Sequence, residues 1–151
     1  DVPLQVERIR AARAAGDALG VHLVINARTD IYLANVGAPE TRFAETVRRL
    51  TAYRDAGADC LFAPGVTDRD TIAALVRELH APLNILATPI SPSVAELAQL
   101  GVARISVGGG LMRAALGTTR RRLAGLRTNG RFDTLLDGAI THADMQHRYE
   151  T

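Results

Sequence analysis

One repeated pattern constrains this chain more than any other. A short apolar run is followed by an exit of polar or glycine residues, then by an amphipathic stretch that closes at Gly or just before Pro. The runs are Val21–Ala27, Cys60–Ala63, Leu83–Ala87 and Ala103–Val107. Runs of this length, rich in Val, Ile and Leu, suit strands buried on both faces, as in a parallel sheet covered by helices. The first and longest, V-H-L-V-I-N-A-R-T-D, leads directly into Asn26, Arg28, Thr29 and Asp30.

The stretches between the runs read as helices. Leu4 to Leu19 places Leu4, Ile9, Ala12 and Leu19 on one side and ends at Gly20. Glu40 to Ala56 carries Phe43, Val47, Leu50 and Tyr53 or Arg54 at helical spacing and stops at Gly57. Thr67 or Asp68 caps a helix over Arg69 to Leu79, with Ile72, Leu75, Val76 and Leu79 inward. Ser91 or Ser93 starts the next, which Gly101 ends, and Leu111 to Leu126 forms a fifth. Right-handed β–α–β crossovers then give an α/β protein with a parallel sheet. An open doubly wound sheet and part of a barrel both fit. Residues 1–128 form this body, and 129–151 a weakly amphipathic tail helix over Phe132 to Tyr149. The tail packs on the body or on a neighbouring subunit.

Composition narrows the function classes. The 151 residues suit one domain, and 47% apolar residues allow a real core. No apolar run reaches the length of a membrane span, and Asp1-Val2-Pro3-Leu4 shows no basic stretch followed by an apolar core, so no signal peptide is expected. The chain starts at Asp1 without Met, so it reads as processed, cut or part of something longer. A single cysteine, Cys60, sits in a strand pattern as a core residue, and a cytoplasmic location is the default. Every basic residue is Arg. Lys-dependent Schiff-base and P-loop chemistry are therefore excluded within these residues. Arg120 to Arg122 read as a solvated helix face, with no interleaved aromatics to stack bases, so no nucleic-acid partner is expected. His22, His80, His142 and His147 show no metal-ligand spacing.

In parallel α/β proteins ligands bind at the carboxyl ends of the strands. The exits here carry Asn26, Arg28, Thr29 and Asp30; Pro64 and Gly65; Thr88 and Pro89, with Asn84 inside its strand; and Ser106 with Gly108, Gly109 and Gly110. Arg28 offers a planar fork suited to a carboxylate or phosphoryl group, although an Arg–Asp pair can also simply close a loop. Asn84 interrupts L-N-I-L-A, and a buried amide is either a site group or a satisfied core polar. The glycines before a helix can approach an anion with backbone N–H groups or make an ordinary tight turn. Asp30 alone is too little for a divalent cation.

Taken together, V-I-N-A-R-T-D, G-A-D-C-L-F-A-P-G, L-N-I-L-A and S-V-A-E-L-A-Q-L-G-V-A-R-I-S-V-G-G-G, in this order and spacing, resemble the isocitrate lyase and phosphoenolpyruvate mutase superfamily, its phosphonomutase-like members above all. The resemblance implies strands five to eight of a TIM-type (β/α)8 barrel. It also implies a Mg²⁺-dependent homo-oligomeric enzyme acting on C–C or C–P bonds of small 2-oxo acids, carboxylates or phosphonates. Arg28 is then the catalytic clamp on the substrate's acidic group and Asn84 a second substrate contact. Asn26, Gly108 and Gly109 complete the candidate binding set. The family's metal-bearing acidic segments and its K-K-C-G-H loop have no match, so the Mg²⁺ ligands are expected outside this chain. Gly65 follows Pro64 where the true lyases place Glu, which argues against isocitrate or methylisocitrate as substrate. Two other readings stand beside this one: a non-catalytic half-barrel that self-associates, and a phosphate-binding barrel fragment built on Gly108 to Gly110.

Overall fold

The computed structural model describes residues 1–148. Two compact units make up the chain, Asp1–Gly108 and Gly109–Thr151. The first contains α1 (Val2–Ala18), β1 (Asn26–Arg28), a 3₁₀ turn (Pro39–Thr41), α2 (Arg42–Asp55), β2 (Cys60–Phe62), α3 (Arg69–Leu79), β3 (Leu83–Leu86), α4 (Val94–Gln99) and β4 (Arg104–Ser106). The four strands form one sheet in the order β1-β2-β3-β4, and all neighbours are parallel. A doubly wound sheet reverses its strand order at a switch point. This four-stranded sheet has no reversal.

The helices cover one face. Ile9 of α1, Leu50 and Tyr53 of α2, Ile72, Leu75 and Leu79 of α3, and Leu97 of α4 share one buried cluster with Ala27, Leu61, Leu83 and Ile85 of the sheet. Local signals set the helix starts. Asp68 caps α3 by accepting a hydrogen bond from the Thr71 backbone N–H, and Ser93 and Glu96 form a reciprocal capping box at α4. His80, in the left-handed region at φ 47°, ends α3 ahead of Pro82.

Three expectations are corrected. The run Val21–Ile25 is not a strand buried on both faces: Val21, Leu23 and Val24 are exposed, and ladder pairing begins only at Asn26. Asp59 holds this segment instead, accepting hydrogen bonds from the Ile25 backbone N–H at 2.7 Å and from Arg13 at 2.5 Å. The ring of His22 lies 3.0 Å from the same carboxylate. Helix α1 does not turn Leu4 and Leu19 inward, since both are exposed. Its inner line runs through Val2, Val6, Ile9, Arg13 and Gly16. A Cβ at Gly16 would stand 2.7 Å from the Val21 carbonyl oxygen, so the absence of a side chain is what lets the chain fold back there.

The second unit is α5 (Gly110–Asn129) and α6 (His142–His147). Gly130 ends α5 at φ 63°. Arg122 donates to the Thr134 and Asp137 carbonyl oxygens and to the Asp137 carboxylate. The third correction lies here. In place of one helix over Phe132 to Tyr149, turns precede the short α6, which Thr141 caps; Tyr149 lies outside the described residues. Among the described residues, no helix is long and apolar enough to cross a membrane.

Candidate functional site

Side chains alternate across a strand, so the register assigns each residue to a face. Ala27, Leu61, Leu83, Ile85 and Ile105 point into the helices. The other face carries Asn26, Arg28, Cys60, Phe62, Asn84, Leu86, Arg104 and Ser106. Pairing aligns Arg28 with Phe62, Phe62 with Asn84, and Asn84 with Arg104. These residues therefore make one row across the sheet. An apolar core lies behind the sheet, and a largely polar surface in front of it.

Arg28 ends β1. Its Nε donates to Asp30 Oδ1 at 2.5 Å, and its guanidinium carbon lies 5.7 Å from the centroid of the Phe62 ring. The side chain thus leans along the row toward β2. Both members of the Arg28–Asp30 pair are about half exposed, at 48% and 51%. An exposed pair of this kind contributes only about 0–1 kcal/mol, so Asp30 is readily exchanged for another anion.

Asn84 is fully buried, and neither its amide nitrogen nor its oxygen has a hydrogen-bond partner among the described residues. The Asn26 side-chain oxygen, Oδ1, is also buried and unpartnered among the described residues. A buried polar group without a partner costs about 1–3 kcal/mol. Asn84 is therefore not a core polar satisfied by this chain. Cys60 is buried, and burial pushes its thiol up despite the opposing field of Arg104, so it stays protonated at neutral pH.

The other candidates are placed differently. Gly108 follows β4 at φ 52°, and a Cβ there would stand 3.2 Å from Leu86 Cδ1. Gly109 opens the second unit as the N-cap of α5. The structure thus brings Asn26, Arg28 and Asn84 to one face, places Gly108 at a strand exit, and puts Gly109 in the other unit. Gly65 has φ 90°, and a Cβ would meet the Leu33 backbone nitrogen at 2.7 Å and its Cα at 2.8 Å. The turn after β1 closes on the space that a longer residue at position 65 would fill.

Sequence reasoning missed Phe62 and Arg104. Counting back by two from Ser106 places Arg104 on Ser106's face, but only the cross-strand register puts it beside Asn84. Among the described residues no group of three or more His, Cys, Asp or Glu side chains can hold a metal ion. Asp30, the acidic residue at the β1 exit, is taken by Arg28. The donor set in hand does not fit a Mg²⁺ site by itself.

The family described as phosphoenolpyruvate phosphomutase matches residues 1–127. This chain belongs to that family. An uncharacterised protein of Mycobacterium tuberculosis H37Rv is 42% identical over 84 residues, which is 56% of this chain and 31% of the relative. Oxaloacetate decarboxylase of Pseudomonas aeruginosa PAO1 is 38% identical over 107 residues, covering 69% of this chain and 33% of the enzyme. Among solved structures, a Burkholderia cenocepacia J2315 protein provisionally assigned as a lyase/mutase superposes with TM-score 0.85 at 41% identity, covering 100% of this chain and 53% of that one. Oxaloacetate acetylhydrolase in complex with its product oxalate has TM-score 0.75 at 30% identity, covering 87% of this chain and 45% of that one. The chain therefore spans about a third of the curated relatives it matches and about half of these structures. The phosphomutase match includes every candidate on the polar face.

Proposed function

We propose that this chain supplies strands five to eight of a (β/α)8 barrel in a lyase- or mutase-type enzyme. Its substrates would be small 2-oxo-acid-derived carboxylates or phosphonates, cleaved or rearranged at a C–C or C–P bond. The observation that carries this reading is Asn84: a fully buried amide, unpartnered on both atoms, in the same row as a cation with only a weak anionic partner. Arg28 exchanges Asp30 for the substrate's acidic group, and its fork fixes the orientation of that group. Phe62 lies under the guanidinium and limits its swing. The Asn84 nitrogen donates to a substrate oxygen that gains charge as the bond breaks, and its own oxygen accepts from a substrate hydroxyl. The nearby oxaloacetate and oxalate enzymes support this substrate class. Mg²⁺ belongs to the proposal as a group whose carboxylate ligands come from outside these residues. Gly108 is kept as a backbone contact to the same anion, and Gly109, in the second unit, as a substrate-binding candidate by itself.

The test is a turnover screen of the full polypeptide carrying this chain, against 2-oxo acids and phosphonates with Mg²⁺. Arg28→Ala should lower turnover of the active substrate by at least about a hundredfold, the scale of losing one preorganised donor. Full activity in that variant, or no turnover of any member of the panel by the wild type, contradicts the proposal.

A second reading has one observation behind it. Among the described residues β1 and β4 each pair on one side only, leaving two unpaired sheet edges. A copy of the chain that paired those edges would close an eight-stranded ring without a separate partner.

A further inference from the structure

Each strand ends on a residue of the same sheet face: Arg28 on β1, Phe62 on β2, Leu86 on β3 and Ser106 on β4. Of these four, Arg28 alone is charged. The exits after the other three strands add no charge, since residues 62–66, 86–91 and 106–108 contain no charged side chain. The hydroxyls there are engaged. Ser106 Oγ donates to the Ile85 carbonyl oxygen at 3.2 Å, and Thr88 Oγ1 lies 3.2 Å from Ser91 Oγ. The charge at the strand ends is thus confined to β1.

Phe62 and Leu86, on the two middle strands, are half-buried, whereas the residues before them in β2 and β3 are buried. Both flank Asn84: Phe62 is its register partner on β2, and Leu86 stands two residues farther along β3 on the same face. The Leu86 side chain reaches toward the β4 exit. A Cβ at Gly108 would stand 3.2 Å from Leu86 Cδ1, so the glycine leaves that space to the leucine. The Phe62 ring lies under the Arg28 guanidinium. A ring and an aliphatic side chain thus make an apolar floor between the Arg28 clamp and the β4 exit.

We infer that this floor is an apolar subsite, with Leu86 as a specificity-determining residue. The site takes a small acid whose acidic group lies on Arg28 and whose chain carries a hydrocarbon substituent packed on Phe62 and Leu86. The inference rests on the reading of Arg28 as the substrate clamp. A methyl or methylene group placed there exchanges water for carbon contacts, which favours binding. A charged substituent in the same place loses its hydration and meets no counter-charge at the ends of β2, β3 or β4, which disfavours it.

Calorimetry on the full polypeptide with pyruvate, 2-oxobutyrate and 2-oxopentanoate, acids that differ only in chain length, reads the subsite directly. The wild type should bind 2-oxobutyrate about fourfold tighter than pyruvate, the scale of burying one methylene. Leu86→Asn, close in size but polar, should erase that difference and change pyruvate affinity by less than about twofold. Leu86→Ala should move the preference to 2-oxopentanoate, whose longer chain refills the space, and Leu86→Met should keep the wild-type order. Thermal melts show whether each variant is folded. Arg28→Gln should weaken all three acids by a similar factor. Equal wild-type affinities for pyruvate and 2-oxobutyrate overturn the inference, as does a wild type that binds none of the acids, or a preference left unchanged by both Leu86→Asn and Leu86→Ala. If Leu86→Asn erases the preference while Arg28→Gln weakens nothing, the apolar subsite stands and the clamp role of Arg28 fails.

Discussion

Two residues away from the polar face show how single side chains hold this sheet in place. Asp59 receives Arg13, His22 and the Ile25 backbone N–H, and so fixes the approach to β1 where no ladder exists. Burial alone would raise its carboxyl. The Ile25 hydrogen bond, the Arg13 hydrogen bond and charge, and the His22 charge outweigh that, and its value lies below the usual carboxylate range. A depressed folded value means the stabilisation is present above the ordinary carboxylate pKa and is lost as pH falls through the folded one. Denaturant unfolding should find Asp59→Asn less stable than wild type by roughly 1–3 kcal/mol at pH 7, with the gap narrowing below about pH 4. A gap of the same size at pH 7 and pH 3 would show that the charge of Asp59 is irrelevant. Gly65 was visible in the sequence as a strand-exit residue and as a departure from the lyase pattern, not as a packing requirement. Its cause is spatial, in the Leu33 backbone and the φ of 90°. Gly65→Ala should cost more than about 1 kcal/mol in the same measurement, whereas Gly125→Ala, in the α5 interior with open space around it, should not destabilise.

Among the elements, α3 and α4 were legible because their signals are local. Thr67 or Asp68 and Ser91 or Ser93 mark the starts, Asp68 and Ser93 being the caps, and the Ile72, Leu75, Leu79 spacing announces the buried face. Ser93→Ala should lower stability by about 0.5–2 kcal/mol, and Leu75→Ala by about 2–5 kcal/mol, both read from chemical denaturation. A Leu75→Ala cost below that of Ser93→Ala would contradict the core assignment. β1 was read too long because apolarity alone cannot say where a ladder begins. That depends on Cys60, Leu61 and Phe62, more than thirty residues later in the chain. The inner face of α1 was misread because an arginine and a glycine lie on it: Arg13 reaches Asp59, and Gly16 admits the returning chain. The tail failed for want of a strong period, and α6 is one short capped piece of it.

At the scale of the molecule, the parallel sheet followed from the repeated strand–helix pattern, while the strand order and the row Arg28–Phe62–Asn84–Arg104 did not. Arg28 and Asn84 stood out as polar residues in apolar runs. Arg104 did not, because its neighbour in space lies on another strand. The two unpaired edges predict that this chain, isolated as these 151 residues, sediments as a dimer or larger species. A well-behaved monomer at micromolar concentration would remove self-closure and leave the missing strands to another stretch of polypeptide. The most direct test of the site itself is a crystal structure of the full polypeptide with oxalate and Mg²⁺. The anion is expected in front of the sheet, with one carboxylate within hydrogen-bond distance of the Arg28 guanidinium and an oxygen against the Asn84 amide. Oxalate bound elsewhere, with Asn84 still unpartnered and Arg28 still on Asp30, would contradict that reading.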